Sequence, residues 1–189
     1  MTNPDRALDA FLVAAAQAGE RDKLELLVRR WHRRLVAHAA RLLGDRELAG
    51  DAVQDAWGEI MRGLPGLRDP MAFPAWAMRI VSRACARLIR GNRHRRHLAQ
   101  AVALEPTVLA ASPEEAAMAT VDGAQVRAAL AALPADQRAA LALFHFEQMS
   151  VAEVAVALDA PVGTIKTRLM HARRKLKILL EGETHAARD

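Results

Sequence analysis

The hydrophobic positions near the C-terminal end of the chain predict a short helix with one apolar face. Ser150 and Glu153 have the spacing of a capping box, in which the two side chains satisfy free backbone N–H groups at a helix start. The apolar residues that follow recur at i, i+3, i+4 and i+7, and they are Val151, Val154, Ala155 and Leu158. This spacing is typical of a helix buried on one side.

A second helix is predicted after a break at Asp159, Ala160 and Pro161. Its apolar side consists of Ile165, Leu169, Ala172, Leu176 and Leu179. Its other side carries no acidic residue and consists of Lys166, Thr167, Met170, His171, Arg173, Arg174 and Lys177. A capped helix, a tight break and a basic second helix together indicate a helix-turn-helix that enters a DNA groove, whereas a solvated basic helix is the alternative interpretation.

The apolar spacing in the first half of the chain predicts a helix that stops at Gly44, followed by a helix that Asp45 caps and that runs from about Arg46 to Arg62. One face of this second helix is apolar. Its opposite face is acidic and polar and consists of Asp51, Gln54, Asp55 and Gly58. Taken alone, such a face is a solvated surface, and it is a docking surface only if other observations support that role.

A further helix is predicted from Phe73, with Pro74 in its first turn, and Gly91 and Asn92 predict its end. From residue 79 to residue 97 the chain has no acidic residue and seven arginines, which are Arg79, Arg83, Arg87, Arg90, Arg93, Arg95 and Arg96. Like charges at this density repel one another unless phosphates screen them. The cluster therefore indicates nucleic-acid contact rather than arginines that only solvate a helix end.

The composition favours an all-α fold of two small helical domains. Hydrophobic residues make up 52% of the 189 residues and charged residues 26%, and no segment alternates apolar and polar β-branched residues. Residues 98–126 contain no Lys or Arg but do contain acids and prolines, which predicts a flexible acidic linker. The predicted units are an arm or short helix (1–19), a first domain (20–97), the linker (98–121), a helix-turn-helix domain (122–182) and a tail (183–189).

The single cysteine, Cys85, excludes an internal disulfide and any zinc site that needs paired thiolates. Its small and apolar neighbours predict a buried, inert thiol. No apolar stretch approaches the roughly 20 residues that span a bilayer, and the N-terminal residues are acidic where a signal peptide is basic. We therefore expect a cytoplasmic protein without membrane insertion, metal or cofactor.

Four strings in the chain resemble the extracytoplasmic-function class of bacterial sigma factors, the small sigma-70 proteins with only the second and fourth conserved regions. GDAVQDAWGEIM is similar to the D-x-x-Q-[DE] segment of region 2, and FPAWAMRI is similar to its F-x-x-W-x-x-R-I helix. LPADQR followed by VAEVAVALDAPVGTIKTRL resembles the region 4 series. The resemblance covers about residues 20–180 and implies a dissociable, non-enzymatic subunit that brings RNA polymerase to promoters and helps open the duplex.

The resemblance also implies roles for individual residues. Asp51, Gln54 and Asp55 match positions that dock on the coiled-coil clamp helices of the largest polymerase subunit. The residues matched to the minus-35 element are Thr164, Lys166, Thr167, Arg168, Met170, His171, Arg173 and Arg174, of which Lys166, Thr167, Met170 and His171 are expected to face bases and the arginines to hold phosphates. The residues matched to the minus-10 element are Arg79, Arg83, Arg87, Arg90, Asn92 and Arg93.

Two residues depart from the family pattern. Arg83 stands where many relatives have Asn, and His171 stands where relatives often have Arg, so base preference is not transferred at either position. An anti-sigma factor is a further expected partner, because proteins of this class are commonly sequestered by one.

Two other function classes compete with this interpretation. A stand-alone helix-turn-helix regulator uses the last domain but leaves the first unexplained. The other class is an enzyme in which His94 and His97 bind a metal ion. A metal cation at these residues would lie inside the arginine cluster, where the positive charges repel it.

Overall fold

The computed structural model describes the backbone of residues 3–99, 126 and 128–186, and the regular structure in these residues is helical without a strand. The helices in chain order are α1 (Asn3–Gln17), α2 (Arg21–Leu43), α3 (Arg46–Gly63), α4 (Phe73–Ala99), α5 (Ala135–Leu141), α6 (Val151–Leu158) and α7 (Val162–Ala186). Two 3-10 turns, Leu64–Gly66 and Pro70–Ala72, connect α3 to α4, and a π-helical turn, Ala142–Phe146, continues α5. The predicted all-α fold is confirmed.

Several helix termini lie where the sequence predicts them. Gly44 ends α2 with a left-handed backbone at φ 71°, and its N–H donates to the carbonyl of Ala40. Asp45 then begins α3, and its side chain accepts hydrogen bonds from the next free backbone N–H groups. The capping box of Ser150 and Glu153 is present at the start of α6. These caps are local, which is why a few neighbouring residues suffice to predict them.

The predicted end of α4 at Gly91 and Asn92 is wrong, because the helix continues to Ala99. A glycine inside a helix costs only about 1 kcal/mol relative to alanine, and good helix formers stand on both sides of it here. The arginine cluster is thus carried on one continuous helix. The predicted linker beyond residue 99, and residues 187–189 of the predicted tail, lie outside the described residues.

The first domain is centred on Trp31 of α2, which is fully buried and meets Phe73 edge to face with ring centroids 5.3 Å apart. His38, also fully buried, joins α2 to α4 through a 3.0 Å contact between its Nε2 and Ser82 Oγ. Gly63 lets the Trp76 ring approach the backbone, since an added Cβ there lies 2.8 Å from Trp76 Cζ2. The tryptophans are thus packing residues in or against the core.

Helix α1 is an ordered part of the first domain, which resolves the choice between an arm and a helix for the N-terminal segment. Leu12 and Val13 are buried in the core. The carboxylate of Asp9 is fully buried and accepts a 2.6 Å hydrogen bond from Arg30. Gln17 donates 2.8 Å hydrogen bonds to the carbonyls of Leu64 and Leu67, which ties α1 to the connection between α3 and α4.

The helix-turn-helix domain packs directly on the first domain. Helix α6 lies against α4, and α5 with its π-helical turn lies against α2, so the buried apolar residues of both domains form one continuous cluster. Glu147 is only 4% exposed and accepts hydrogen bonds of 3.0 Å from Arg34 and 3.1 Å from Arg41. Arg138 reaches in the opposite direction and donates to the carbonyl of Leu42 at 2.8 Å.

Candidate nucleic-acid and polymerase interfaces

Helix α7 presents most of its predicted DNA-reading residues to solvent. Ile165, Leu169 and Ala172 are buried and hold the helix against its own domain. The opposite face is exposed, with Met170 at 59% exposure. The exposed members of the predicted set are Thr164, Lys166, Thr167, Met170, His171, Arg173 and Arg174.

Arg168 differs from the other predicted residues of α7. Its Nε lies 3.1 Å from Asp136 Oδ2, so it forms an ion pair within its own domain and is only partly exposed. Arg173 is fixed in another way, because its guanidinium lies 5.2 Å from the centre of the Phe144 ring. The π-helical turn before α6 therefore helps to orient the basic face of α7, a contribution that the sequence did not indicate.

Four predicted arginines lie along one side of α4. Arg79 and Arg83 are one helical turn apart, and Arg87 and Arg90 continue the same side and are exposed. The first two bind the same carboxylate, since Asp159 Oδ1 lies 2.8 Å from Arg79 and Asp159 Oδ2 lies 2.9 Å from Arg83. Hydrogen bonds from Arg83 and Arg79 lower the pKa of Asp159 below its usual value.

The remaining two predicted residues of this group, Asn92 and Arg93, are in α4, but their side chains lie outside the described part of the structure.

The predicted polymerase-binding residues share the outer face of α3. Asp51, Gln54 and Asp55 are exposed, whereas Ala52 and Val53 between them are buried in the core. The exposed residues form a short negative stripe on α3, and the opposite side of this helix is held in the core.

Sequence reasoning missed the contacts between the domains. The sequence predicted Asp159 only as part of the break between two helices. It is, however, the one acidic residue between Glu153 and Glu181. A single carboxylate in an otherwise basic segment was the sequence feature that could have indicated an ion pair with another part of the chain. Glu153 was predicted only as a cap, yet it also pairs with Arg6 of α1. Burial alone raises the pKa of Glu153, but hydrogen bonds from Arg6 and Ser150 outweigh it and hold the pKa below its usual value.

The described residues contain no group of three or more metal-ligating side chains, although the side chains of His94 and His97 lie outside them. No helix in the same part of the chain is long and apolar enough to cross a membrane. Cys85 is buried, and its burial raises the pKa of the thiol to about 12, as expected for an inert cysteine.

Two stretches of the chain match known sequence families, residues 27–95 the family described as Sigma-70 region 2 and residues 123–176 the family described as Sigma-70, region 4. The ECF RNA polymerase sigma factor SigM of Mycobacterium tuberculosis is 36% identical over 172 residues, which covers 91% of this chain and 84% of that protein. The chain belongs to the extracytoplasmic-function class of the sigma-70 family. It is a transcription initiation factor that binds core RNA polymerase and promoter DNA. The stand-alone regulator is not supported, because region 2 accounts for the first domain.

Further similar proteins support the assignment of this chain to the sigma factor family. The RNA polymerase sigma-H factor of Pseudomonas aeruginosa is 30% identical and aligns over 92% of this chain and 94% of that protein. A structure of CnrH in complex with the cytosolic domain of CnrY matches with a TM-score of 0.68 and 28% identity, over 93% of this chain and 98% of that chain. RpoE bound to the anti-sigma factor NepR, from Bartonella quintana, has the same fold with a TM-score of 0.71, at 23% identity over 84% of this chain and 96% of that chain.

Proposed function

We propose that this sigma factor uses three separate helix faces for its three contacts: α4 for the minus-10 element, α7 for the minus-35 element and α3 for the polymerase clamp. The observation that carries the proposal is the division of each helix into a buried side and a polar side. Because the buried sides are fixed in the core, the polar side chains are presented from rigid elements. On this proposal, region 2 comprises residues 20–97 and region 4 comprises residues 122–182.

The α3 contact is electrostatic. The exposed carboxylates of Asp51 and Asp55, with Gln54 between them, would meet cationic side chains on the coiled-coil clamp helices of the largest polymerase subunit. Complementary charge of this kind speeds and orients assembly more than it adds affinity.

The α7 contact divides into base readers and phosphate contacts. Lys166, Thr167, Met170 and His171 are proposed to face the bases of the minus-35 element, and Arg173 and Arg174 to hold phosphates. Arg168 reaches a phosphate only by giving up its ion pair with Asp136, so we assign it a secondary role.

The α4 contact would hold the minus-10 element on its arginine side. Arginine binds backbone phosphates and also stacks on an unpaired base, which suits a strand captured after the duplex opens. The proposed set is Arg79, Arg83, Arg87, Arg90, Asn92 and Arg93.

We further infer that the protein catalyses no reaction, acts in the cytoplasm beside RNA polymerase, and is held inactive by an anti-sigma factor. The last inference is supported by two related sigma factors whose solved structures are complexes with NepR and with CnrY.

Run-off transcription with core RNA polymerase from a related bacterium tests the proposed function. On a pool of genomic promoter fragments we expect discrete start sites that require the added sigma factor. Absence of transcripts despite demonstrated complex formation with a cognate core enzyme would contradict it.

Variants then separate the three faces. The double variant D51N/D55N should weaken polymerase binding and leave free-DNA affinity unchanged, whereas the control E25Q, an exposed acid on α2, should change neither. K166A and H171A should alter promoter preference by about 1–3 kcal/mol at single base pairs. A uniform loss on all sequences would instead identify Lys166 and His171 as phosphate contacts.

A further inference from the structure

Phe144 reaches the DNA-reading side of α7, although it lies outside that helix. It belongs to the π-helical turn Ala142–Phe146 and is half-buried, and the Cζ atom of Arg173 lies over its ring, 5.2 Å from the ring centre. The same ring borders a hollow of about 350 Å³ that is also lined by Lys166 and Met170. Phe144 therefore lies beside two residues that we propose to face bases and one that we propose to hold a phosphate.

The contact between Phe144 and Arg173 is compatible with phosphate binding. The negative face of an aromatic ring attracts a cation, and a guanidinium carries its five N–H donors in its own plane. A ring supplies no carboxylate oxygen to those donors, so they stay available for the oxygens of a phosphate. Arg168 differs, because its Nε lies 3.1 Å from the carboxylate of Asp136.

The ring also restrains a side chain that would otherwise move freely. Arg173 is exposed, and its long side chain has several rotatable bonds, so binding to a phosphate costs conformational entropy. A side chain that is already ordered before binding loses less entropy on binding. The contact with Phe144 should therefore tighten DNA binding without adding a contact to DNA.

His145, the next residue of the turn, completes the surroundings of Arg173. Its ring meets Phe144 edge to face, with ring centroids 5.0 Å apart. Burial lowers the pKa of His145, and the positive charge of Arg173 lowers it further. The imidazole is thus neutral at neutral pH, and it adds no second positive charge that would repel the guanidinium.

Core packing alone does not account for an aromatic ring at residue 144. Ile165, Leu169 and Ala172 are buried and hold α7 against its own domain. The neighbouring Leu143 is fully buried and supplies the core contact of the turn, whereas Phe144 is only partly buried at the edge of the core. The side of the Phe144 ring that Arg173 covers is explained by the cation and not by the core.

We propose that Phe144 is a positioning residue for the minus-35 contact, which holds Arg173 by a cation–π interaction in an orientation that binds a DNA phosphate. Phe144 acts through Arg173 and not on DNA directly. Because phosphates carry no sequence information, the ring should raise affinity for all promoters alike and leave base preference to the other residues of α7. This inference rests on the proposed function, which assigns Arg173 to a phosphate.

The first test measures promoter affinity of the holoenzyme assembled from the full chain and core RNA polymerase. The probe is a fluorescent duplex that carries a promoter found by run-off transcription, and binding is followed by anisotropy at several salt concentrations. F144L removes the ring and keeps an apolar side chain. F11L is the matched control, because it makes the same change at a phenylalanine of α1 that is 58% exposed.

We expect F144L to bind the duplex about two- to fivefold more weakly than the unaltered chain, the range for an exposed cation–π contact. F144Y keeps a ring that attracts cations and should retain the affinity, and F11L should change nothing. If F144L binds as tightly as F11L, or if F144Y loses as much affinity as F144L, the positioning role of the ring is wrong.

The second test changes the electron density of the ring and leaves its packing nearly unaltered. A suppressor tRNA inserts phenylalanine analogues with one, two or three fluorine atoms at residue 144. Fluorine withdraws electrons from the ring face and so weakens its attraction for a cation. Affinity for the duplex should fall with each added fluorine. If F144L binds weakly but the fluorinated rings bind like phenylalanine, the ring acts only by packing and the proposal is overturned.

A third variant, R173Q, tests the phosphate contact itself. It should lower affinity and reduce the slope of log K against log salt concentration by about one, because one phosphate contact is lost. R29Q is the matched control, since it makes the same charge change at an arginine of α2 that is 77% exposed, and it should leave the slope unchanged.

The combination of R173Q with F144L separates failure of this inference from failure of the proposed function. In the R173Q background F144L should have no further effect, because the residue that the ring positions is absent. If R173Q changes the slope no more than R29Q does, the assignment of Arg173 to a phosphate fails and the inference fails with it. If R173Q lowers the slope but F144L weakens binding equally in both backgrounds, only the inference fails.

Discussion

Protonation of His38 should limit the acid stability of this sigma factor. Its ring is fully buried between α2 and α4, with Nε2 3.0 Å from Ser82 Oγ and with Nδ1 lacking a hydrogen-bond partner among the described atoms. Burial, with the nearby positive charge of Arg41, lowers the pKa of His38 to about 3. The folded protein therefore keeps this histidine neutral.

The size of the effect follows from the difference between the folded and unfolded pKa values. An unfolded histidine titrates near pH 6.5, so between about pH 6.5 and 3 the unfolded chain binds a proton that the folded chain excludes. The free energy of unfolding is unaffected above this range and falls by up to about 1.4 kcal/mol per pH unit within it. From pH 6 to pH 4 the loss is about 2.5 kcal/mol, a large part of the roughly 5–15 kcal/mol that stabilises a typical protein.

Urea unfolding followed by circular dichroism at pH 6, 5 and 4 measures this loss. The variant H38Q keeps a hydrogen-bonding side chain toward Ser82 but does not titrate, so its stability should fall by about 2.5 kcal/mol less than that of the unaltered chain. H171Q, on the exposed face of α7, is the control and should retain the full dependence. Contributions from the carboxylates are the same in all three proteins and cancel in the comparison. If H38Q and the unaltered chain lose the same free energy, the reasoning is wrong.

Two other predictions concern packing and thiol chemistry. G63A should destabilise the fold by about 1–3 kcal/mol, because its new Cβ overlaps the Trp76 ring, whereas G50A in the same helix meets nothing within 4 Å and should stabilise by about 0.5–1 kcal/mol; equal thermal midpoints for the two variants would refute the contact. Cys85 should react with a thiol reagent at pH 8 about a thousandfold more slowly than a free cysteine until urea unfolds the chain, because its pKa is raised to about 12; rapid labelling of the native protein would show that the thiol is not buried.

The parts of the fold that were predicted correctly depend on neighbouring residues. The Asp45 cap, the Gly44 stop and the Ser150–Glu153 capping box each involve residues within a few positions of one another. The buried side of α7 follows in the same way, because apolar spacing of a single helix determines which side faces the core. The predicted end of α4 was wrong for a local reason too, because the helix formers on both sides of Gly91 outweigh the modest cost of a glycine inside a helix.

The helix faces that carry the candidate sites were predicted, but the partners of individual side chains on them were not. The exposure of Asp51, Gln54 and Asp55 follows from the apolar spacing of α3. That Arg168 is occupied by Asp136 does not, because these residues are 32 positions apart and belong to different helices. The partner of a charged side chain depends on where other helices pack, which periodicity does not specify.

The sequence by itself determined that this chain is helical, where most of its helices begin and end, and which helix faces are basic, acidic or apolar, because helical periodicity and capping act over a few residues. Only the tertiary structure decided how the two domains meet. Asp159 and Arg79 are separated by 80 positions in the chain, and their contact exists because α6 packs on α4. Long-range ion pairs of this kind depend on the packing of the whole core, which local periodicity does not specify.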